Sequence, residues 1–137
     1  MIDKLINHPW LFIGIGGLLG AISRYELSGL IQKSFSNNIF PLGTLFVNVF
    51  GSILLGIILS LFQYNTINQN QLLFFGTGFC GAFTTFSTFA VESIKLLESE
   101  NSYWLAINIG SNIIFTFVGV LVGIFLANFL VKIYLPH

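Results

Sequence analysis

The sequence predicts an all-α integral membrane protein with four transmembrane helices and a break in the third. Composition indicates the membrane: 55% of the 137 residues are hydrophobic and only 7% are charged, whereas charged residues make up about a quarter of an ordinary soluble domain. A second observation indicates the break, because a stretch rich in glycine and threonine interrupts an otherwise apolar segment at residues 76–89. We therefore expect one transmembrane domain over residues 1–137.

Four apolar stretches divide the chain. They cover approximately residues 10–33, 41–64, 72–97 and 103–132, and each provides the roughly 20 residues that a spanning helix needs. The connections are short and rich in asparagine, glutamine and serine. Because no water-soluble domain is left to carry separate chemistry, the sequence predicts a multi-pass membrane protein whose function lies in the membrane.

The charges are few and evenly divided. The formal net charge is zero, from five basic and five acidic residues, which argues against nucleic acid as a partner. Four spans place Lys4 and Lys132 on one side of the bilayer and Lys33 and Lys95 on the other, with Arg24 inside the first span. This count gives the positive-inside rule no preferred orientation and favours an antiparallel dual-topology dimer. If one helix ended at a different residue, a lysine would change sides and the count would favour one orientation.

The third span carries the sequence GTGFCGAFTTFSTF at residues 76–89. Its glycines, Gly76, Gly78 and Gly81, can adopt backbone conformations that other residues resist, so a helix break would cost little there. At membrane depth such a break is tolerated only where it is buried in protein or lines a polar cavity. Carbonyl oxygens freed by the break suit a hard cation such as Na⁺.

Two phenylalanines follow the glycines on one helix face. Phe86 and Phe89 are three residues apart, while Ser87 and Thr88 between them offer hydroxyl donors on other faces. The edge of an aromatic ring is electropositive, so ring edges aimed into a narrow pore attract an anion without a fixed charge that would trap it. The alternative is that both rings are packing residues among sixteen phenylalanines.

Polar side chains also occur inside the other spans. Asn48 lies a few residues into the second span, and Asn108, Asn112 and Thr116 form a stripe at four-residue spacing on the fourth. Each side chain either forms a hydrogen bond between helices or lines a pore, because a buried amide in lipid must find a partner. Arg24 is either a helix-end anchor or a positive charge at an aqueous vestibule.

Three segments together resemble the CrcB, or Fluc, family of fluoride channels: GLLGAISRY, TLFVNVFGS and GFCGAFTTFSTF. The resemblance implies a passive fluoride-selective channel of the cell membrane and not an enzyme, built as an antiparallel homodimer with two pores and a central Na⁺. It implies that carbonyl oxygens of Gly81 and Thr84 hold the Na⁺ and that Arg24 faces a vestibule. The fluoride path would be lined by Asn48, Phe86, Phe89, Ser87, Thr88, Asn108, Asn112 and Thr116. Many members have a tyrosine where this chain has Asn108.

Other functions remain open from the residues alone. A dual-topology small multidrug exporter also has four short helices and balanced charge, and it needs a membrane-embedded acidic residue, for which Glu26 is the candidate. A four-helix scaffold subunit would show no ion flux, but packing alone does not require a break rich in glycine and threonine. The partner of the chain is either an inverted second copy or an inverted paralogue.

Overall fold

The computed structural model describes residues 8–35 and 39–134, and all regular structure in these two ranges is helical. Helix α1 is Pro9–Ser34, α2 is Leu42–Gln63, α4 is Phe86–Glu98 and α5 is Ser102–Tyr134. Helix α3 (residues 69–83) joins an α-helical turn Gln69–Gln71, a π-helical segment Leu72–Cys80 and a last α-helical turn Gly81–Phe83. Lys4, which entered the charge count, lies outside the described residues.

Small residues let the helices pack at close range. A Cβ atom at Gly16 would collide with the carbonyl oxygen of Phe74, and one at Gly20 would collide with that of Phe79. Helix α1 therefore rests directly on the backbone of the π-helical segment. Gly56 and Gly123 likewise allow α2 and α5 to pack closely, because a Cβ atom at either position would collide with backbone of the other helix. Close backbone approach increases van der Waals contact in lipid, where no hydrophobic force draws helices together.

The helical path is interrupted between α3 and α4. Thr84 and Thr85 have extended backbone angles (φ −85°, ψ 158° and φ −151°, ψ 117°), and they separate Phe83 from Phe86. The glycines were expected to carry the irregular backbone, but Gly81 has ordinary helical angles (φ −62°, ψ −33°) and no described glycine has a positive φ. The π-helical segment covers Gly76 and Gly78 instead.

Three helical stretches of the described chain are long and apolar enough to cross a membrane: Leu42–Gln63, Gln69–Glu98 and Ser102–Ile133. Helix α1 has 26 residues but is not among them, because Arg24, Glu26 and Lys33 lower its hydropathy. Large apolar side chains are exposed over much of the surface, among them Phe117 and Phe125 at 73% and 68%. Such a surface suits contact with lipid or with another apolar partner.

Candidate functional site

The side chain of Asn48, on α2, binds both backbone polar groups of Thr85. Its Oδ1 atom accepts a hydrogen bond from the Thr85 N–H at 2.7 Å, and its Nδ2 atom donates to the Thr85 carbonyl oxygen at 3.1 Å. Both residues are buried, with 8% and 7% of their surface exposed. The Asn48 amide thus gives the Thr85 N–H the acceptor that it lacks outside a helix, and it adds a donor to the Thr85 carbonyl oxygen.

Thr85 also caps α4. Its Oγ1 atom accepts from the Thr88 N–H at 3.2 Å and donates to the Thr88 Oγ1 atom at 3.0 Å, while the Ser87 hydroxyl lies 3.3 Å away. A side-chain oxygen at this position satisfies one of the free N–H groups that begin every helix. The first turn of α4 is therefore fixed both by its own cap and by Asn48.

Hydrogen bonds continue from Asn48 to α5 and back to α4. Asn48 Nδ2 donates to Asn112 Oδ1, Asn112 Nδ2 donates to Asn108 Oδ1, and Asn108 Nδ2 donates to Ser93 Oγ, each at 3.0 Å. Ser93 Oγ in turn donates to the Phe89 carbonyl oxygen at 2.8 Å. We call the four side chains Asn48, Asn112, Asn108 and Ser93 the amide relay. All four are buried, so the relay ties three helices together away from the surface.

A cavity of about 350 Å³ opens beside the relay, between α2, α4 and α5. Its lining combines amide and hydroxyl groups with aromatic and aliphatic side chains. The residues are Asn48, Ser52, Leu55, Thr84, Thr85, Phe86, Phe89, Asn112, Ile113, Thr116 and Phe117. The cavity therefore joins polar groups from two helices to the beginning of α4.

The hydroxyl and amide donors of the cavity are occupied within the chain. Thr116 donates to the Asn112 carbonyl oxygen at 2.6 Å, and Ser52 donates to that of Asn48 at 2.7 Å. Both N–H groups of the Asn48 side chain are bonded, one to Thr85 and one to Asn112. A ligand that needs donors would have to exchange with these internal bonds, which limits how tightly it is held.

The rings of Phe86 and Phe89 both border the cavity. Their centroids are 5.4 Å apart and their planes are inclined by 56°. Phe89 is 9% exposed and packed inside the chain, whereas Phe86 is 80% exposed. The position of the Phe89 ring is therefore set by packing within the chain, whereas the Phe86 ring faces outward.

Five of the eight residues that were predicted to line a pore lie on this cavity: Asn48, Phe86, Phe89, Asn112 and Thr116. The other three do not. Asn108 is fully buried behind Asn112, and Ser87 and Thr88 are exposed on other faces of α4. Arg24 is half-buried on α1, away from the cavity lining. The part of each residue in ion passage stays a prediction.

The carbonyl oxygen of Gly81 lacks its usual helical donor. In an α-helix it would accept from the N–H four residues later, but the Thr85 N–H donates to Asn48 instead. Gly81 is exposed and Thr84 is half-buried in the single chain. Oxygen atoms of this kind fit a hard cation such as Na⁺. Among the described residues, no cluster of histidine, cysteine or acidic side chains forms a further metal site.

Two residues of this arrangement, Thr85 and Ser93, were not identified from the sequence. A separate contact between Thr44 and Glu92, outside the cavity lining, was also not predicted. Thr44 Oγ1 donates to Glu92 Oε1 at 2.9 Å, and Glu92 Oε2 is buried without a partner among the described residues. Thr85 had a sequence signal, since a threonine before an apolar helical run is a common N-cap. Ser93 had none, because its role depends on Asn108 on another helix.

Comparison with known proteins gives a consistent result. The sequence model described as "CrcB-like protein, Camphor Resistance (CrcB)" matches residues 11–124. A protein of Methanosarcina acetivorans named "Fluoride-specific ion channel FluC 1" is 46% identical over 114 residues, which cover 82% of this chain and 86% of the relative. "Fluoride-specific ion channel FluC" of Thermosipho africanus is 57% identical over 60% of this chain and 66% of its own length. The protein of that name in Maridesulfovibrio salexigens is 38% identical over 91% of this chain and 99% of its own length.

Proposed function

The chain belongs to the CrcB-like protein family, and on this premise we propose that it is a fluoride-selective ion channel of the cell membrane that exports fluoride passively and so reduces its toxicity. One observation carries the proposal beyond the family. The cavity unites the Asn48 and Asn112 amides with the rings of Phe86 and Phe89. Conduction through such a cavity requires no catalytic group.

The lining suits an anion that must lose its water. Fluoride is small and strongly hydrated, so a pore has to replace water with donors and electropositive ring edges, yet hold the ion weakly enough to release it. In this chain the donors are already bonded internally, as with the Thr116 hydroxyl and Asn112. Fluoride would bind by exchange with these bonds, which favours release over trapping.

Passive flow is sufficient for export. Neutral HF enters a cell and dissociates at the higher internal pH, which leaves the anion inside. An inside-negative membrane potential contributes about 2.3 kcal/mol per charge for each 100 mV, and this drives the anion outward once a pore is open. The pore needs neither a proton gradient nor a chemical fuel.

We propose that the working unit is an antiparallel dimer with two pores, formed with an inverted second copy or an inverted paralogue. The cavity is open on the side of Phe86, which is 80% exposed. An aromatic ring that borders a polar cavity and faces outward needs a covering surface, and a second chain would supply it. The lysines, with Lys4 included, divide evenly between the two sides of the bilayer, and this even division supports insertion in both orientations.

We propose a structural Na⁺ at the centre of this dimer. The carbonyl oxygen of the helical residue Gly81 lacks its helical donor, and Thr84, the first extended residue after α3, has a second carbonyl group close by in sequence. Pairs of such oxygens from two chains offer the ligand type that Na⁺ prefers. A bound cation would offset the repulsion between carbonyl dipoles that meet at the dimer centre.

Growth of a fluoride-sensitive bacterium tests the function. We expect the chain to restore growth in fluoride to cells that lack their own exporter, and Asn48→Ala to abolish this rescue. The alternative, a small multidrug exporter, depends on Glu26, which is exposed and lies outside the cavity lining. Loss of rescue in Glu26→Gln, together with a requirement for a proton gradient, would favour that exporter.

A further inference from the structure

The amide relay has only one possible direction. It begins at the Thr85 N–H, which can only donate, and ends at the Phe89 carbonyl oxygen, which can only accept. Because the single hydroxyl proton of Ser93 is donated to Phe89, its oxygen must accept, and the atom that faces it must be the amide nitrogen of Asn108. The Thr85 N–H and the Phe89 carbonyl oxygen therefore determine how every amide between them is turned.

Asn108 accepts both hydrogen bonds that the side-chain amide of Asn112 donates. Asn112 Nδ2 donates to the side-chain oxygen of Asn108 and to the backbone carbonyl oxygen of Asn108, each at 3.0 Å. This arrangement leaves the Asn112 side-chain oxygen facing Asn48, where it accepts from Nδ2. If any one amide turned over, two donors or two acceptors would meet in a buried position, which is costly.

Asn108 itself has no access to the cavity. It is 0% exposed and is not part of the lining, whereas Asn112 and Asn48 are. We propose that Asn108 is a positioning residue of the ion path, which acts through Asn112 to fix the Asn48 amide and the first turn of α4. This inference rests on the proposed channel function. Asn108 was expected to line the pore; in this proposal it acts instead from behind the residues that line it.

The chain contains a matched control for this role. Asn128 is also an asparagine on α5 whose amide bonds a serine, here by accepting from the Ser60 hydroxyl on α2. Neither residue lines the cavity that contains Asn48. Leucine at position 108 or 128 keeps nearly the same shape and removes one interhelical asparagine–serine bond. Only the change at 108 interrupts the relay.

Efflux from vesicles prepared at a high lipid-to-protein ratio separates positioning from folding. Most active vesicles then hold a single dimer, so the fraction of vesicles that empties counts active channels and the emptying rate reports flux per channel. We expect Asn108→Leu to lower the rate about tenfold, the equivalent of roughly one buried hydrogen bond. Asn128→Leu should leave the rate unchanged, whatever it does to the fraction. Ser93→Ala removes one oxygen atom and should lower the rate less, in the same direction.

Each outcome bears on the proposal. A normal rate in Asn108→Leu, or in Ser93→Ala if the first variant does not fold, overturns it. Equal rate losses at positions 108 and 128 also overturn it, since a general disturbance of α5 would then explain both. If the unmodified chain releases no fluoride, the channel function fails and the positioning role fails with it. If the unmodified chain conducts and the relay variants conduct equally well, only the positioning role is wrong.

Discussion

Asn48 binds the backbone of Thr85 across 37 residues of sequence, accepting from its N–H at 2.7 Å and donating to its carbonyl oxygen at 3.1 Å. Thr85 is extended and buried at the point where the third crossing leaves its helix. Without Asn48, the buried Thr85 N–H would lose its hydrogen-bond acceptor. The amide is therefore a part of the fold as well as a group at the cavity, and its two roles are separable by experiment.

Asn48→Ala should damage both roles. The variant leaves the Thr85 N–H without its acceptor and the Asn112 side-chain oxygen without its donor, which costs about 2–4 kcal/mol of folding free energy. Flux per channel should also fall, because the first turn of α4 is released. Thermal unfolding in detergent and fluoride efflux measure the two effects. Asn128→Ala is the control, since it removes the bond with Ser60 and should lower stability without lowering flux per channel.

Phe86→Ile and Phe89→Ile should both reduce fluoride flux strongly, because an aliphatic side chain has no electropositive edge. They should differ in stability: Phe86 is 80% exposed and Phe89 is 9% exposed, so only the second change disturbs the packing of the single chain. Fluoride efflux and size-exclusion chromatography give the two readouts. Phe125→Ile, which changes an exposed ring stacked on Phe129, should leave flux unchanged. Normal flux in Phe86→Ile would remove this ring from the ion path.

Gly20→Ala should destabilise the chain by about 1–3 kcal/mol, because the added methyl group meets the backbone of Phe79 and α1 must move outward. Gly14→Ala is the matched control on the same helix, since nothing lies within 4 Å of an added Cβ there. It should be neutral or stabilise by up to about 1 kcal/mol. Unfolding midpoints in detergent compare the two. Equal effects would show that α1 does not rest closely on the π-helical segment.

Replacement of Na⁺ by a large organic cation on both sides of the membrane should lower fluoride flux if carbonyl oxygens of Gly81 and Thr84 hold a structural Na⁺. The same exchange should weaken the dimer while the single chain stays helical, because the proposed ligands come from two chains. Efflux assays, analytical ultracentrifugation and circular dichroism report these properties. Flux and dimer stability that are indifferent to Na⁺ would contradict the proposed site.

The membrane character of the fold was predictable because hydropathy is a property of composition, and three stretches of the structure have the length and apolarity to span a bilayer. The position of the irregular backbone was not predictable from the glycines alone. Gly81 is helical, whereas Thr84 and Thr85 are extended. The deciding contact comes from Asn48, a partner distant in sequence that no local propensity reveals.

The same reason explains what was missed at the candidate site. Four-residue spacing placed Asn108 and Asn112 on one face of α5, but spacing did not reveal that one lines the cavity and the other is buried behind it. That distinction depends on how close α4 approaches α5, where Ser93 meets Asn108. A polar stripe on a membrane helix predicts partners; it does not say which of them is a ligand-facing group.

Fluoride efflux from liposomes that contain the purified chain tests the central claim most directly. Potassium fluoride is trapped inside, valinomycin is added to let K⁺ move, and an electrode records fluoride, with chloride-loaded vesicles measured in parallel. A selective passive channel predicts rapid fluoride release after valinomycin, little chloride release, and no need for a proton gradient. Absence of fluoride release from a folded dimer, or release that requires a proton gradient, would contradict the proposed function.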